Sequence, residues 1–157
     1  MNYEFNREWL IKKFGEIKRR TLMVIDQLDD AELNDSSDSI SHNIPTLLRH
    51  IEGNINERIR KSICKEEVIR DRDQELSKTF MTKSEAEALV HINMDYVIDV
   101  IKHLPQEKFE ETQIVRGKER LHIDMLHQCA AHYSEHMGQI LYIAKQCLKE
   151  NYKSTSV

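Results

Sequence analysis

Four stretches of this chain repeat apolar residues at intervals of three and four, and that periodicity limits the fold more than any other feature. The first, from about Asn6 to Leu28, sets Leu10, Phe14, Ile17, Val24 and Leu28 on one side, with Thr21 filling the gap. The second begins near Pro45, whose fixed φ suits a first helical turn, and continues to about Lys65 with Leu48, Ile51, Ile55, Ile59 and Ile63 inward. The third opens on a capping-box pattern, Ser84 to Glu87, and carries Ala86, Val90, Val97, Ile101 and Leu104 before Pro105 stops it. The fourth, about Leu121 to Glu150, carries Leu126, Ala130, Tyr133, Met137, Ile140 and Ala144. Such spacing returns side chains to one face of a 3.6-residue helix. Only 4 Gly and 2 Pro in 157 residues leave little of the punctuation that a sheet-rich fold needs. Four stripes of similar length imply an all-α chain, a four-helix bundle.

The three connections run to roughly fourteen to eighteen residues, longer than the short loops of an up-and-down bundle, so crossovers between parallel neighbours are allowed. Residues 26–43 are Asp- and Ser-rich and read as loop, 66–83 as an extended charged connection, and 105–120 as a loop with a turn at Arg116-Gly117. No internal repeat or low-complexity segment interrupts this plan. The chain is the size of one ordinary domain, expected over residues 1–150, with 151–157 as a short polar tail.

Charge and cysteine usage bear on location and partners. Acids and bases are interspersed, 27 against 23, for a net charge of −4, with no basic tract to track phosphates or anionic lipid. Neither nucleic acid nor a membrane surface is expected as a partner. Cys64, Cys129 and Cys147 are odd in number and widely spaced, which is neither a disulfide framework nor a zinc ribbon. The first twenty residues are charged every few positions and read as neither signal peptide nor membrane span. The expected location is the cytoplasm.

The stretch His132 to Gln146, HYSEHMGQILYIAKQ, places two histidines four residues apart. At about 100° per residue from Tyr133, Met137, Ile140, Leu126 and Ala144 fall within roughly 40°, while His136 and His132 fall at about 60° and 100° on one shoulder. The pair can share one ion, or each ring can simply be a hydrogen-bonded residue beside the core. Glu135 projects to the far side, so this is not the H-E-x-x-H helix of a metalloprotease. A zinc or nickel site needs a third ligand. His50, in HIEGN, stands about 100° from Ile51 and Asn54 about 60°, the same shoulder geometry on the second helix. If the second and fourth helices are neighbours, three imidazoles converge. His42, His91, His103, His122 and His127 share no such spacing and are expected at the surface or at caps.

The segments LLRHIEGNINERI and QCAAHYSEHMGQILYIAKQ, supported by RDRDQEL after the second helix and IVRGKE before the fourth, resemble the DinB/YfiT-like superfamily, in particular a branch of unknown function with HxxGN and HxxxHxGQI segments. The resemblance covers nearly the whole chain. It implies a bundle in up-down-down-up order, frequently dimeric, with a divalent metal (Zn, Ni or Mn) held by His50, His132 and His136. Asn54 and Gln139, each within a turn of a ligand, are candidates to orient bound water, substrate or an imidazole.

Three neutral imidazoles leave an ion its full charge and an open position, the pattern of a catalytic metal; closed four-ligand sites are structural. Some superfamily members resemble thiol S-transferases that join a low-molecular-weight thiol such as bacillithiol to an electrophile. A bound thiol is deprotonated by the ion itself, so no dedicated protein base is required. Metal-dependent hydrolysis is the alternative, but it also needs a proton donor for the leaving group, and neither Glu52 nor Glu57 is evidently directed at the ion. A third class is a non-catalytic dimeric bundle with a metal-binding or stress-related role. A homodimer is expected from the resemblance and from Trp9, Ile11, Leu22 and Met23, which lie off the main stripe of the first helix.

Overall fold

A computed structural model describes residues 1–36, 38, 40–77 and 80–156. Parts of the first two expected connections and the end of the tail (residues 37, 39, 78, 79 and 157) lie outside the described residues. The chain is mostly helical, with one small two-stranded sheet. Its long helices are α1 (Glu4–Gln27), α3 (Ile44–Ile55), α5 (Lys83–His103) and α6 (His122–Leu148); α2 (Asp30–Leu33) and α4 (Arg72–Leu76) are short.

Every residue assigned above to one of the four apolar stripes is buried, and together they form one continuous core. α1 packs on α5 and α6, and α3 packs on the same two helices. The directions follow from side-chain pairs. Arg7, near the start of α1, donates to the carbonyls of Ile101, Lys102 and Leu104 at the end of α5, and Lys18 meets Asp95 at 2.6 Å, so these helices are antiparallel. Asn6 meets His127 and Phe14 stacks near Tyr133, so α1 and α6 run the same way. His50 faces His136 while Asn54 faces Cys129, so α3 and α6 are antiparallel.

Local chemistry explains the boundaries and corrects several expectations. Asn43 caps α3 by accepting from the backbone N–H of Thr46, and Pro45 sits in the first turn, where its missing N–H costs nothing. The capping box of α5 is Thr82 with Glu85, two residues ahead of the Ser84–Glu87 pattern. α3 does not continue as an α-helix to Lys65: after Ile55 the chain widens into a π-helical segment, Asn56–Lys61. Ile51, Ile55, Ile59 and Ile63 are spaced by four throughout, which on an α-helix drifts about 40° per step; a wider turn holds them on one face.

The connections are more structured than loops. The first contains α2, closed by a capping box of Asp29 and Glu32, and the second contains α4, capped by Asp71. The third holds an antiparallel hairpin, β1 (Thr112–Val115) with β2 (Lys118–Leu121), so the chain is not wholly α. Its turn falls at Arg116-Gly117 as expected, with φ of 50° and 75°. Polar TQIV and KERL lack the apolar alternation that marks strands. After a 3₁₀ turn at Lys149–Asn151 the tail lies along α1, with Lys153 bonded to Gln27 and Thr155 buried against Arg20. Among the described residues no helix is long and apolar enough to cross a membrane, and the three cysteines are free thiols.

Candidate metal centre

Because α3 and α6 are antiparallel neighbours, their two shoulders face each other. His50, His132 and His136 converge, each offering a ligand atom within 4.8 Å of the others. Ring centroids are 5.3 Å apart for His50 and His132, 4.9 Å for His50 and His136, and 4.5 Å for His132 and His136. The Nε2 atoms of His132 and His136 are 2.8 Å apart. His136 Nδ1 lies 2.7 Å from Gln139 Oε1, an oxygen that can only accept, so Nδ1 carries the proton and Nε2 presents its lone pair.

Behind His50 stands a residue that helix geometry did not reveal. His50 Nδ1 is buried with no hydrogen-bond partner, and Glu75 Oε2 approaches it at 3.8 Å. This leaves Nε2 as the nitrogen of His50 available to an ion. Glu75 is itself gripped by Arg70, at 2.7 Å to Nε and 3.0 Å to Nη2, with the two side chains 10% and 16% exposed. The carboxylate rests on Gly53, where a β-carbon would overlap its Cδ and Oε1. The glycine of HIEGN is thus the seat of Glu75. A carboxylate behind a ligating imidazole fixes the ring and raises its basicity.

Burial favours the neutral form of His50 and His132. It is the main cause that lowers His50 to about 4, with the nearby His136 and His132 acting in the same direction and Glu75 opposing. Burial, then His136, lowers His132 as well. Two imidazoles whose Nε2 atoms lie 2.8 Å apart, and a third whose far nitrogen is orphaned beside a carboxylate, form a donor set that suits a divalent ion.

The remaining candidates separate. Gln139 bonds His136 directly, whereas Asn54 Oδ1 accepts from Tyr133 Oη at 2.8 Å and from Cys129, with no hydrogen bond to any of the three histidines. Glu135, expected on the far side of the helix, borders clefts on both sides of the histidines. His122, expected at the surface or as a cap, is fully buried with Nδ1 2.9 Å from the Lys108 carbonyl, because the hairpin and the 3₁₀ turn at Gln106–Phe109 cover the start of α6. His127 pairs with Asn6 and stacks on Trp9. His91 and His103 are exposed beside Asp95 and Asp99.

Two clefts border the cluster, one at His136 and one at His132. One, of about 920 Å³, runs from His136 and Gln139 along α6 to Tyr142 and Cys147 and is closed by Ile40, His42 and Leu47. The other, of about 520 Å³, lies beside His132 and Asn54, under the hairpin. Both are of a size for small molecules. The chain's own thiols near these clefts stay protonated: burial pushes Cys129 up to about 11, and burial followed by Asp35 raises Cys147.

No curated protein and no solved structure matches the chain. The family described as Protein of unknown function (DUF1572) matches residues 4–157, and the chain belongs to that family.

Proposed function

We propose that this chain is a metal-dependent enzyme of the DinB/YfiT-like superfamily, a four-helix bundle in up-down-down-up order that transfers a small thiol to an electrophile. The helix directions support that order: α1 and α6 run one way, α3 and α5 the other, with long connections where parallel neighbours must be linked. His50, His132 and His136 would hold the ion. A divalent ion on three neutral imidazoles keeps an open position and acidifies a bound thiol or water.

The observation that carries the reading is a pair of separate clefts on either side of the histidine cluster, one bordered by His136 and the other by His132, whose Nε2 atoms are 2.8 Å apart. Transfer between two substrates needs two binding volumes that share a reacting centre, whereas hydrolysis needs one and a proton donor. Glu75, the acid beside His50, is committed to Arg70 through both carboxylate oxygens, and the Tyr133 hydroxyl is committed to Asn54. With Cys129 and Cys147 protonated, the nucleophilic thiol comes from a low-molecular-weight cosubstrate.

The test is paired incubation of metal-loaded protein with a thiol plus an alkylating electrophile, and with a panel of esters and amides. Thioether formation that requires protein and metal supports transfer. Ester or amide cleavage without thioether formation would replace it with hydrolysis, and inactivity in both arms of a metal-loaded protein would point to a binding role.

A further inference from the structure

The cleft beside His132 carries a charge pattern at odds with the whole chain. The protein has a net charge of −4, yet Arg58, Arg116, Lys118 and Arg120 converge on this one cavity, with Glu135 as the acid in its lining. Arg120 is paired with Asp124 at 3.2 Å. Among the described residues, no carboxylate lies within ion-pair distance of Arg58, Arg116 or Lys118. Other surface cations, such as Lys12, Lys102 and Lys153, also lack an acid among the described residues, so the cleft is distinguished by the convergence of its cations on one cavity and not by their lack of partners.

The fold places these cations together. The π-helical segment carries Arg58, and its backbone carbonyl accepts from Gln113 Nε2 of β1 at 3.3 Å, which ties the hairpin to that turn. The left-handed pair Arg116-Gly117 closes the hairpin in two residues, so Arg116 and Lys118 flank its tip over the cleft. Deeper in, Asn54 has its oxygen occupied by Tyr133, which leaves its NH₂ group as a donor. Cations without partners, an amide donor and a volume of about 520 Å³ suit one small anion rather than a polymer.

We propose that this cleft is an oxoanion subsite, binding a carboxylate or phosphate group of a small substrate whose reacting end reaches the three histidines. The substrate's orientation rests on the reading of the histidines as the reacting centre; the subsite itself does not. Planar guanidinium groups of Arg58 and Arg116 provide paired donors for two oxygens, and Lys118 adds a point charge.

The experiment is a backbone-amide NMR titration of the full chain at low salt with inorganic phosphate, with succinate and with neutral succinamide. Saturable shifts at residues 54, 58, 116–118 and 132 are expected with an oxoanion at low millimolar concentration and not with succinamide. Tighter binding of phosphate would name a phosphorylated substrate, and of succinate a carboxylated one; either supports the subsite. Arg58→Gln with Lys118→Gln should weaken binding roughly 100-fold, about tenfold for each charge removed. The exposed Lys118→Gln alone gives the tenfold test should the double variant fail to fold. His50→Ala should leave anion binding intact, which separates this proposal from the metal reading: a metal-free wild-type protein would defeat that reading without touching the titration. Silence at these amides up to about 50 mM probe, or undiminished binding by the variants, would overturn the subsite. So would tighter binding of duplex DNA or anionic vesicles through the same residues.

Discussion

Replacing Gly53 with alanine sets two opposed terms against each other. In the interior of a helix, alanine is favoured over glycine by about 1 kcal/mol, so on propensity alone the variant is stabilised. The new methyl group, however, would occupy the space of the Glu75 carboxylate, which cannot swing away without leaving Arg70. Both partners are largely buried, and breaking such a pair costs about 3 kcal/mol. The expected net change is a loss of about 2 kcal/mol, read as a melting temperature lower by about 4–8 °C for a chain of this size. In a Glu75→Ala background the obstacle is gone, and Gly53→Ala should then stabilise by about 1 kcal/mol. Denaturant unfolding of the metal-free wild-type protein, the two single variants and the double variant measures this coupling directly. Equal stabilisation by Gly53→Ala in both backgrounds would refute the seating of Glu75 on Gly53.

Glu75→Gln keeps the size of the side chain but removes its charge, and should weaken metal binding about 10- to 100-fold in a chelator competition; unchanged affinity would remove Glu75 from the support of His50. The lowered pKa of His50 predicts a pH-dependent stability of the metal-free protein. Its unfolded state takes up a proton near pH 6.5 while the folded state does so near 4, so stability is full above about 6.5 and falls between 6.5 and 4. Allowing for solvent at the half-buried ring, His50 contributes about 2 kcal/mol to that fall, and His50→Leu should flatten the profile by that amount in denaturant titrations. Light scattering at micromolar concentration should give twice the 18.6 kDa chain mass, with Trp9 and Met23, both 41% exposed on α1, in the contact; a monomer would end the dimer proposal.

What was legible in the sequence depended on periodicity. The four stripes were readable because helical spacing is local and repeats, and the shoulder positions of His50, His132 and His136 followed from counting residues along two helices. Glu75 was hidden because α4 is a single short turn within a charged stretch, and its relation to His50 exists only in three dimensions. The seating on Gly53 left one sequence signal, a glycine in the middle of an otherwise strong helix, which calls for a packing reason. The hairpin's turn was visible in Arg116-Gly117, while its strands were not, because half-solvated strands of this length carry no apolar alternation. The displacement of the α5 cap from Ser84 to Thr82 shows how two overlapping capping patterns cannot be ranked without knowing where the incoming chain is held, here by Asn34 bonding the backbone of Met81.

The central claim, that three imidazoles from α3 and α6 hold one ion together, is tested most directly by metal content after purification without an affinity tag. Elemental analysis should find close to one divalent ion per chain in the wild-type protein and almost none in His132→Ala, since two remaining imidazoles hold an ion weakly. The same metal stoichiometry in His132→Ala as in the wild-type protein would contradict it.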